Sequence, residues 1–153
     1  MMSAFFIFVA RYFFVVPVVI LGAYFLTRPR AEWKRLALFA VPAGVLTYVL
    51  GFIGSHLYFD PRPFVVGHFT PLISHAPDNG FPSDHTLLAS AFAAVGMFWR
   101  RWLAVVLWLL AILIAVSRVY VGVHHPIDVI GSMVFALVAT GLWWTFLTRF
   151  YRS

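Results

Sequence analysis

The stretch "SRVYVGVHHPIDVIG", residues 117–131, places charged and titratable side chains beside long apolar runs. It holds Arg118, His124, His125 and Asp128, while the residues on both sides are mostly Val, Ile and Leu. A charge near hydrocarbon is unfavourable, so such residues usually pair with one another inside a protected cavity or carry function. We therefore expect a buried polar cluster or a functional site at this point of the chain.

The composition is that of a membrane protein. Hydrophobic residues make up 63% of the 153 residues and charged residues 10%, against roughly 45–50% and about 25% in soluble globular domains. A soluble fold could not bury this much apolar surface. The length fits one membrane-embedded domain, residues 1–153, and the lack of cysteine excludes disulfides and thiolate metal sites.

Five segments have the length and apolar character of membrane-spanning helices. A spanning helix needs about 20 mostly apolar residues, with a range of roughly 17–25. The segments that qualify are residues 4–26, 36–56, 82–99, 102–120 and 126–148. The sequence therefore predicts an all-α membrane protein, a bundle of five transmembrane helices in which residues 57–81 form the substantial loop.

The basic residues predict the orientation of this bundle. One side of the five spans has only Arg62 and Arg118, with Arg11 inside the first span. The other side has Arg28, Arg30, Lys34, Arg35, Arg100, Arg101, Arg149 and Arg152. Loops rich in Lys and Arg stay in the cytoplasm, so residues 57–81 and 117–131 are expected to face the extracytoplasmic side. Basic residues dispersed between apolar runs give no reason to expect a nucleic-acid partner.

Two further polar stretches fall at the same end of the predicted bundle. In "DPRPF", residues 60–64, two prolines hold Arg62, whose planar guanidinium suits a phosphate, although a solvated loop arginine is the alternative. In "FPSDH", residues 81–85, Ser83 suits a helix N-cap. A helix N-terminus beside His85 is also a suitable phosphate site.

His124 and Asp128 have the spacing of a hydrogen-bonded pair. Pro126 suits the first turn of a helix, so the carboxylate of Asp128 can fold back and hold one ring nitrogen of His124. Such a pair serves a nucleophile or a general base, and a buried link between helices is the structural alternative. Two arginines and two histidines in unlike environments indicate phosphoryl transfer at a membrane surface. His125 is expected to matter much less than His124.

These stretches resemble the motifs of the type 2 phosphatidic acid phosphatase family. "SRVYVGVHHPID" fits S-R-x5-H-x3-D, "PSDH" is similar to P-S-G-H, and "RP" at 62–63 fits the end of the first motif. The resemblance implies a metal-independent lipid phosphatase that uses no cofactor. It implies that His124 attacks phosphorus, that Asp128 orients it and that His85 protonates the leaving group. It also implies that the phosphoryl oxygens are held by Arg62, Arg118 and Ser83.

Two departures from the motifs narrow this resemblance. Ser55 stands in place of the lysine of the first motif, K-x6-R-P, and Asp84 in place of the glycine of the second. Both features look like the bacterial undecaprenyl pyrophosphate phosphatases of the family. Such an enzyme acts on a polyprenyl pyrophosphate among the lipids of the bacterial inner membrane and recycles the carrier lipid for cell-envelope synthesis. The family usually has six spans, which leaves six as the alternative to five.

Arg11 is the candidate to replace the missing lysine. A charge this deep in the first span should face the bundle, where it would reach the outer phosphate of a diphosphate, or snorkel outward as an anchor. Both hypotheses stay open from the sequence.

Other interpretations remain as well. Within the phosphatase hypothesis, phosphatidylglycerol phosphate and phosphatidic acid are the alternative substrates. Outside it stand a histidine-bound metal enzyme and a non-enzymatic transport component. The chain has no H-x-x-x-H pair, and its five acidic residues are well spread along the sequence, so we expect no metal requirement. Charge confined to one end argues against a transport site at the midplane. The sequence does not predict the oligomeric state.

Overall fold

The computed structural model describes residues 2–150, and the regular structure in that range is helical. Arg152, which was counted with the cytoplasmic residues, lies outside the described range. The helices are α1 Met2–Tyr12, α2 Val15–Leu26, α3 Arg30–Leu57, α4 Pro63–Val66, α5 Asp84–Gly96, α6 Arg101–Tyr120 and α7 Pro126–Phe150. The prediction of an all-α protein is therefore confirmed.

Three of these helices, α3, α6 and α7, are long and apolar enough to cross a membrane. A fourth crossing results if α1 and α2, which are bent by 56° at the break between them, make one span together. Large apolar side chains lie on the outside of the bundle, such as Leu57 at 82%, Leu26 at 72% and Leu109 at 62% exposure. Apolar surface on this scale needs a nonpolar surrounding. The chain is an integral membrane protein.

Two predicted spans differ from the observed helices. The first, residues 4–26, is broken between α1 and α2. The third, residues 82–99, contains a helix of only 13 residues, Asp84–Gly96, which is shorter than the range of roughly 17–25 that spans a bilayer. Helix length within the described residues therefore supports three or four crossings, and the five-span arrangement stays a prediction.

The short helix α5 lies at the centre of the bundle. It packs against α6, α7, α3 and α2, and small side chains such as Ala89, Ser90, Ala93 and Ala94 are buried along it. Small residues allow helices inside a membrane to approach closely. A helix covered by other helices does not have to match the thickness of the lipid, and its N-terminus is fixed at the polar end of the bundle.

The loop between α3 and α5 folds back over that end. The sequence predicts an irregular loop, and the structure adds one short helix, α4, that begins at Pro63. Leu72 N–H donates to Val121 O at 3.0 Å, and Gly80 N–H donates to Asp60 O at 2.8 Å. The loop is therefore joined to the residues that follow α6.

Glycines let α3 lie close to its neighbours. A Cβ added at Gly51 would lie 2.6 Å from a methyl carbon of Leu87 in α5, and one at Gly54 would lie 2.6 Å from the ring of Phe135 in α7. Both distances are far inside van der Waals contact. The close approach of these three helices therefore depends on the missing side chains.

We expect Gly54→Ala to destabilise the bundle, because the added methyl group must displace the Phe135 ring. Overpacking of this kind typically costs about 1–3 kcal/mol, which exceeds the gain of roughly 1 kcal/mol from replacing a helical glycine by alanine. The control is Gly141→Ala in α7, where no atom lies within 4 Å of the added Cβ. Thermal unfolding in detergent should show a lower midpoint for Gly54→Ala alone. An unchanged or raised midpoint for that variant would contradict the close packing.

Candidate active site

The polar cluster forms where the end of α6 meets the start of α7. Gly122 has a φ of 81°, a left-handed conformation that glycine adopts without strain, and it turns the chain out of α6. A Cβ there would lie 2.7 Å from the ring of Phe69. Pro126 then begins α7, because its fixed φ suits the first helical turn. This geometry holds residues 123–125 between two helix ends.

His124 and Asp128 lie within hydrogen-bond distance, as their spacing of four predicts. His124 Nδ1 is 3.1 Å from Asp128 Oδ2, and the two side chains are 2% and 0% exposed. A carboxylate only accepts, so Nδ1 is assigned the hydrogen and Nε2 the free lone pair. The backbone N–H of His125 donates to the same oxygen at 2.9 Å. Asp128 is thus held from two directions and fixes the tautomer of His124.

Two guanidinium groups converge on the free nitrogen of His124. Arg62 Nη1 lies 3.3 Å and Arg118 Nη2 lies 3.4 Å from Nε2. Arginine nitrogens only donate, which agrees with Nε2 as the acceptor. Both arginines are buried. The structure therefore brings together His124, Asp128 and both arginines, while their chemical roles stay a prediction.

The two arginines are anchored differently. Arg62 Nε donates to Asp78 Oδ1 at 2.7 Å, and its other nitrogens also donate to two backbone carbonyl oxygens. Arg118 donates to Ala10 O at 3.3 Å, and its buried Nε has no hydrogen-bond partner in the described chain. Within that chain no carboxylate lies at ion-pair distance from Arg118. Arg118 is therefore a buried cation without a direct counter-ion.

Ser83 and His85 lie at the N-terminus of α5 but make no hydrogen bond to His124. Ser83 occupies the N-cap position, and its side chain does not cap the helix; its Oγ instead accepts from Thr86 Oγ1 at 3.2 Å. Its backbone N–H donates to Asp128 O at 3.3 Å, which ties α5 to α7. The half-buried ring of His85 packs edge-on against Phe14, with 4.7 Å between ring centroids. His85 lies within electrostatic range of His124 and carries no hydrogen bond on its ring within the described chain.

Arg11 is not brought into the cluster. Its neighbour Ala10 is fully buried and accepts from Arg118, whereas Arg11 is exposed. Successive helical residues point about 100° apart, so one of the two faces outward. The missing lysine position, Ser55, donates to Phe52 O of its own helix at 2.7 Å. This placement favours Arg11 as an anchor over Arg11 as a phosphate ligand.

Sequence reasoning missed several contacts of the cluster. His125 Nδ1 lies 3.0 Å from Asp60 Oδ2, a pair 65 residues apart, and Asp78 forms the ion pair with Arg62 described above. The ring of His75 lies 6.2 Å from that of His124, measured between centroids. No rule of sequence spacing predicts a contact between residues this far apart in the chain. Only Asp60 carried a signal, because it begins the "DPRPF" stretch.

Asp60 and Asp128 lie close together in space, so the inference that acidic residues spread along the sequence offer no carboxylate cluster was wrong. Donor atoms of Asp60, His125 and Asp128 all lie within 4.8 Å of one another, because the loop folds back over α7. Three such groups could hold a metal ion. Asp128 Oδ2, however, already accepts from His124 and from the backbone of His125. Independence from metal stays a prediction and no longer rests on separated carboxylates.

Burial and the arginines keep His124 neutral. Burial lowers the pKa of His124 below its ordinary 6.5, the charges of Arg118 and Arg62 lower it further, and the hydrogen bond that His124 donates to Asp128 raises it in part. Burial and Arg62 also lower the pKa of His75. For Asp78, burial raises the pKa, but the hydrogen bond and charge of Arg62 outweigh it and lower the pKa below 3.8. At neutral pH, Nε2 of His124 therefore offers a lone pair.

An apolar and a polar cavity adjoin one another near the cluster. A mostly apolar cavity of about 420 Å³ lies between α2, α3 and α5 and is lined by residues such as Leu21, Gly44 and Phe92. A polar cavity of about 220 Å³ is lined by Arg62, Asp78, Asn79 and Ser55, among others. Both cavities share the side chains of Tyr48, Asp84 and Leu87. An apolar space thus adjoins a polar one that reaches Arg62.

A family model described as the PAP2 superfamily matches residues 36–152. The matched residues include Arg62, Arg118, His85, His124 and Asp128. The chain belongs to the PAP2 superfamily.

Individual relatives of this PAP2 member agree with the match. Undecaprenyl-diphosphatase BcrC of Bacillus subtilis strain 168 is 35% identical over 140 residues, which cover 92% of this chain and 72% of that protein. The bacitracin transport permease protein BcrC of Bacillus licheniformis is 35% identical over 146 residues, 90% and 68% of the two chains. The crystal structure of Aquifex aeolicus LpxE superposes with a TM-score of 0.76 at 25% identity and covers 94% of this chain and 86% of that one.

We expect His124 to titrate below pH 6.5 in the folded protein, for the reasons of burial and charge given above. Asp128→Asn should lower this pKa further, because the carboxylate favours the protonated ring. Histidine NMR in detergent, assigned with His124→Gln, measures both values. Glu32→Gln, at the opposite end of α3, is the control and should change nothing. A pKa above 6.5, or a rise on removing the carboxylate, would contradict the assigned hydrogen bonding.

Proposed function

We propose that the chain is a membrane-bound undecaprenyl-diphosphatase, which cleaves undecaprenyl pyrophosphate into undecaprenyl phosphate and phosphate. The observation that carries the proposal is buried His124, with Nδ1 held by Asp128 and Nε2 facing two arginines. A lone pair between two guanidinium groups is suited to attack a phosphoryl group that those groups bind. The named activity of the B. subtilis relative supports the choice of substrate.

In the proposed reaction, Nε2 of His124 forms a bond to the terminal phosphorus. The P–O bond to undecaprenyl phosphate breaks, and this leaving group takes a proton from His85. Water then attacks the phosphohistidine, gives a proton to His85, and the N–P bond breaks to release phosphate. No metal or cofactor enters these steps. The phosphoryl oxygens are held by Arg62, Arg118 and Ser83.

The two adjoining cavities support a long lipid as substrate. The apolar cavity between α2, α3 and α5 fits a section of an isoprenoid chain, and the polar cavity leads from it to Arg62. The diphosphate would then reach His124 while its tail stays at membrane depth.

The same proposal includes the location of the enzyme. Residues 1–153 form one domain in the bacterial inner membrane, with five spans and the cluster on the extracytoplasmic side. The grouping of basic residues on the opposite side supports this orientation. The product is then made on the outer leaflet, where the carrier lipid is released during envelope synthesis. Arg11 serves as an anchor of the first span.

Two alternatives compete with this function. Phosphatidylglycerol phosphate and phosphatidic acid would use the same histidine chemistry with shorter tails. A transport component is suggested by the name of the B. licheniformis relative, a bacitracin transport permease protein. A transport site does not require a buried histidine with a fixed tautomer and two arginines at one nitrogen, which a phosphatase does.

We expect the purified protein to release phosphate from undecaprenyl pyrophosphate faster than from phosphatidylglycerol phosphate or phosphatidic acid, because the apolar cavity favours a long tail. Excess chelator should leave the rate unchanged. His124→Ala should remove most of the rate, and His85→Ala should slow it by roughly 10²–10⁴-fold through loss of the general acid. Glu32→Gln is the control at the other end of the bundle.

Three results of this assay would count against the proposal. Faster cleavage of phosphatidic acid would move the chain to the alternative substrate class. Activity abolished by chelator and restored by Mg²⁺ would contradict the metal-free mechanism. Full activity of His124→Ala would exclude it as the nucleophile.

Single cysteines test the orientation, because the native chain has none. Thr70→Cys lies in the loop near the cluster, and Arg100→Cys lies in the turn between α5 and α6; both positions are exposed. In intact cells, a membrane-impermeant maleimide should label Thr70→Cys alone. Labelling of Arg100→Cys should require permeabilised cells. Labelling of both positions from the outside would exclude the proposed topology.

A further inference from the structure

A second histidine–carboxyl pair lies directly against the first. Asp60 Oδ2 is 3.0 Å from Nδ1 of His125, and the backbone N–H of His125 donates to Asp128 Oδ2 at 2.9 Å. Donor atoms of Asp60, His125 and Asp128 lie within 4.8 Å of one another. The pair of Asp60 and His125 therefore contacts the carboxyl group that holds His124.

The carboxyl group of Asp128 is only half satisfied. Its Oδ2 accepts two hydrogen bonds, whereas Oδ1 is buried and has no partner within the described residues. Asp128 is 0% exposed, so bulk water does not solvate this oxygen. An unsatisfied buried acceptor is unfavourable, and more so when it is charged. A donor beside Oδ1 would remove this cost.

Asp60 can be that donor, because one of its carboxylate oxygens lies within 4.8 Å of a carboxylate oxygen of Asp128. We propose that Asp60 and His125 form a positioning pair for catalysis, in which the neutral carboxyl group of Asp60 donates its proton to Asp128 Oδ1 and accepts from Nδ1 of His125. The inference rests on the proposed phosphatase function. A single negative charge then stays on Asp128, where it orients His124.

The surroundings of Asp60 agree with a neutral carboxyl group. Burial and the charge of Asp128 raise the pKa of Asp60, and these influences exceed the opposing charge of His125. The two groups that face Asp60 electrostatically are thus one carboxyl and one imidazole. Two carboxylates this close do not readily ionise together, and one of them keeps its proton.

The loop holds Asp60 rigidly in this position. Its backbone N–H donates to Asn79 Oδ1 at 2.9 Å, and its carbonyl oxygen accepts from Gly80 N–H at 2.8 Å. A Cβ at Gly80 would lie 2.9 Å from Asp128 Oδ2, so the loop backbone passes directly beside the carboxyl group of Asp128. Fixed geometry of this kind is what a positioning residue requires.

Isosteric substitutions test the proposal. Asp60→Asn keeps a donor for Asp128 and an acceptor for His125, and should retain kcat within about threefold. Asp60→Ala removes both and should lower kcat by on the order of 10²-fold, the loss that a misplacement of about 1 Å can cause, with KM within twofold. His125→Asn places an amide nitrogen near the position of Nδ1 and should exceed His125→Ala in kcat. The matched control is His56→Gln, an exposed histidine that contacts its own helix.

Each outcome decides the proposal. Asp60→Asn as slow as Asp60→Ala would show that Asp60 acts as an anion and would overturn it. Native kcat in Asp60→Ala, or a raised KM with unchanged kcat, would also overturn it. If Asp60→Ala does not insert into the membrane, Asp60→Asn against the native protein and the two His125 variants decide by the same criteria.

A second readout separates this inference from the proposed function. The proton shift of His124 Nδ1–H, measured by NMR, should match the native value in Asp60→Asn and move in Asp60→Ala or, equally, in His125→Ala. This result does not depend on turnover. If the native protein cleaves no lipid phosphate, the proposed function is wrong, whereas the NMR shift still tests whether Asp60 and His125 position His124. Unchanged shifts in both alanine variants would overturn the positioning even in an active enzyme.

Discussion

The burial of two positive charges beside one imidazole nitrogen is the constraint on which the site depends. Asp78 pairs with Arg62, but Arg118 has only a carbonyl oxygen and the ring of His124 as close partners in the described chain. Asp84 acts on Arg118 electrostatically from a longer distance. A buried cation without a counter-ion is unfavourable. A phosphate dianion at His124 would supply the missing negative charge, which supports the proposed binding of a phosphoryl group by Arg62 and Arg118.

The same charges set the chemistry of His124. The arginines oppose a proton on Nε2, and Asp128 fixes the other proton on Nδ1, so the ring is neutral and has one defined lone pair. A second effect follows from the carboxyl groups. Asp128 must stay anionic to hold Nδ1–H, and a protonated Asp60 beside it would allow this without a second buried negative charge. Both histidine–carboxyl pairs then act as one hydrogen-bonded unit.

The sequence predicted what local spacing determines. The pair of His124 and Asp128 follows from one helical turn, and the start of α7 follows from Pro126. The sequence could not predict that Asp60 is the partner of His125, because 65 residues separate the two. Hydropathy located the long helices α3, α6 and α7 but overestimated the length of α5. Apolar composition does not distinguish a lipid-facing helix from one that other helices enclose.

The substitution at Ser55 is explained better by the loop than by another cation. Asn79 donates to the backbone oxygens of Ser55 and Tyr58 at 2.9 and 3.0 Å and accepts from the N–H groups of Asp60 and Phe81. One amide side chain therefore joins the end of α3 to both flanks of the loop. The backbone carbonyl oxygen of Asn79 accepts from Arg62 at 3.3 Å. The position that carries a lysine in related motifs thus contributes a backbone oxygen that helps to fix the loop and, through Asn79, Arg62. In the proposed function, the charge that binds phosphate comes from Arg62 and Arg118.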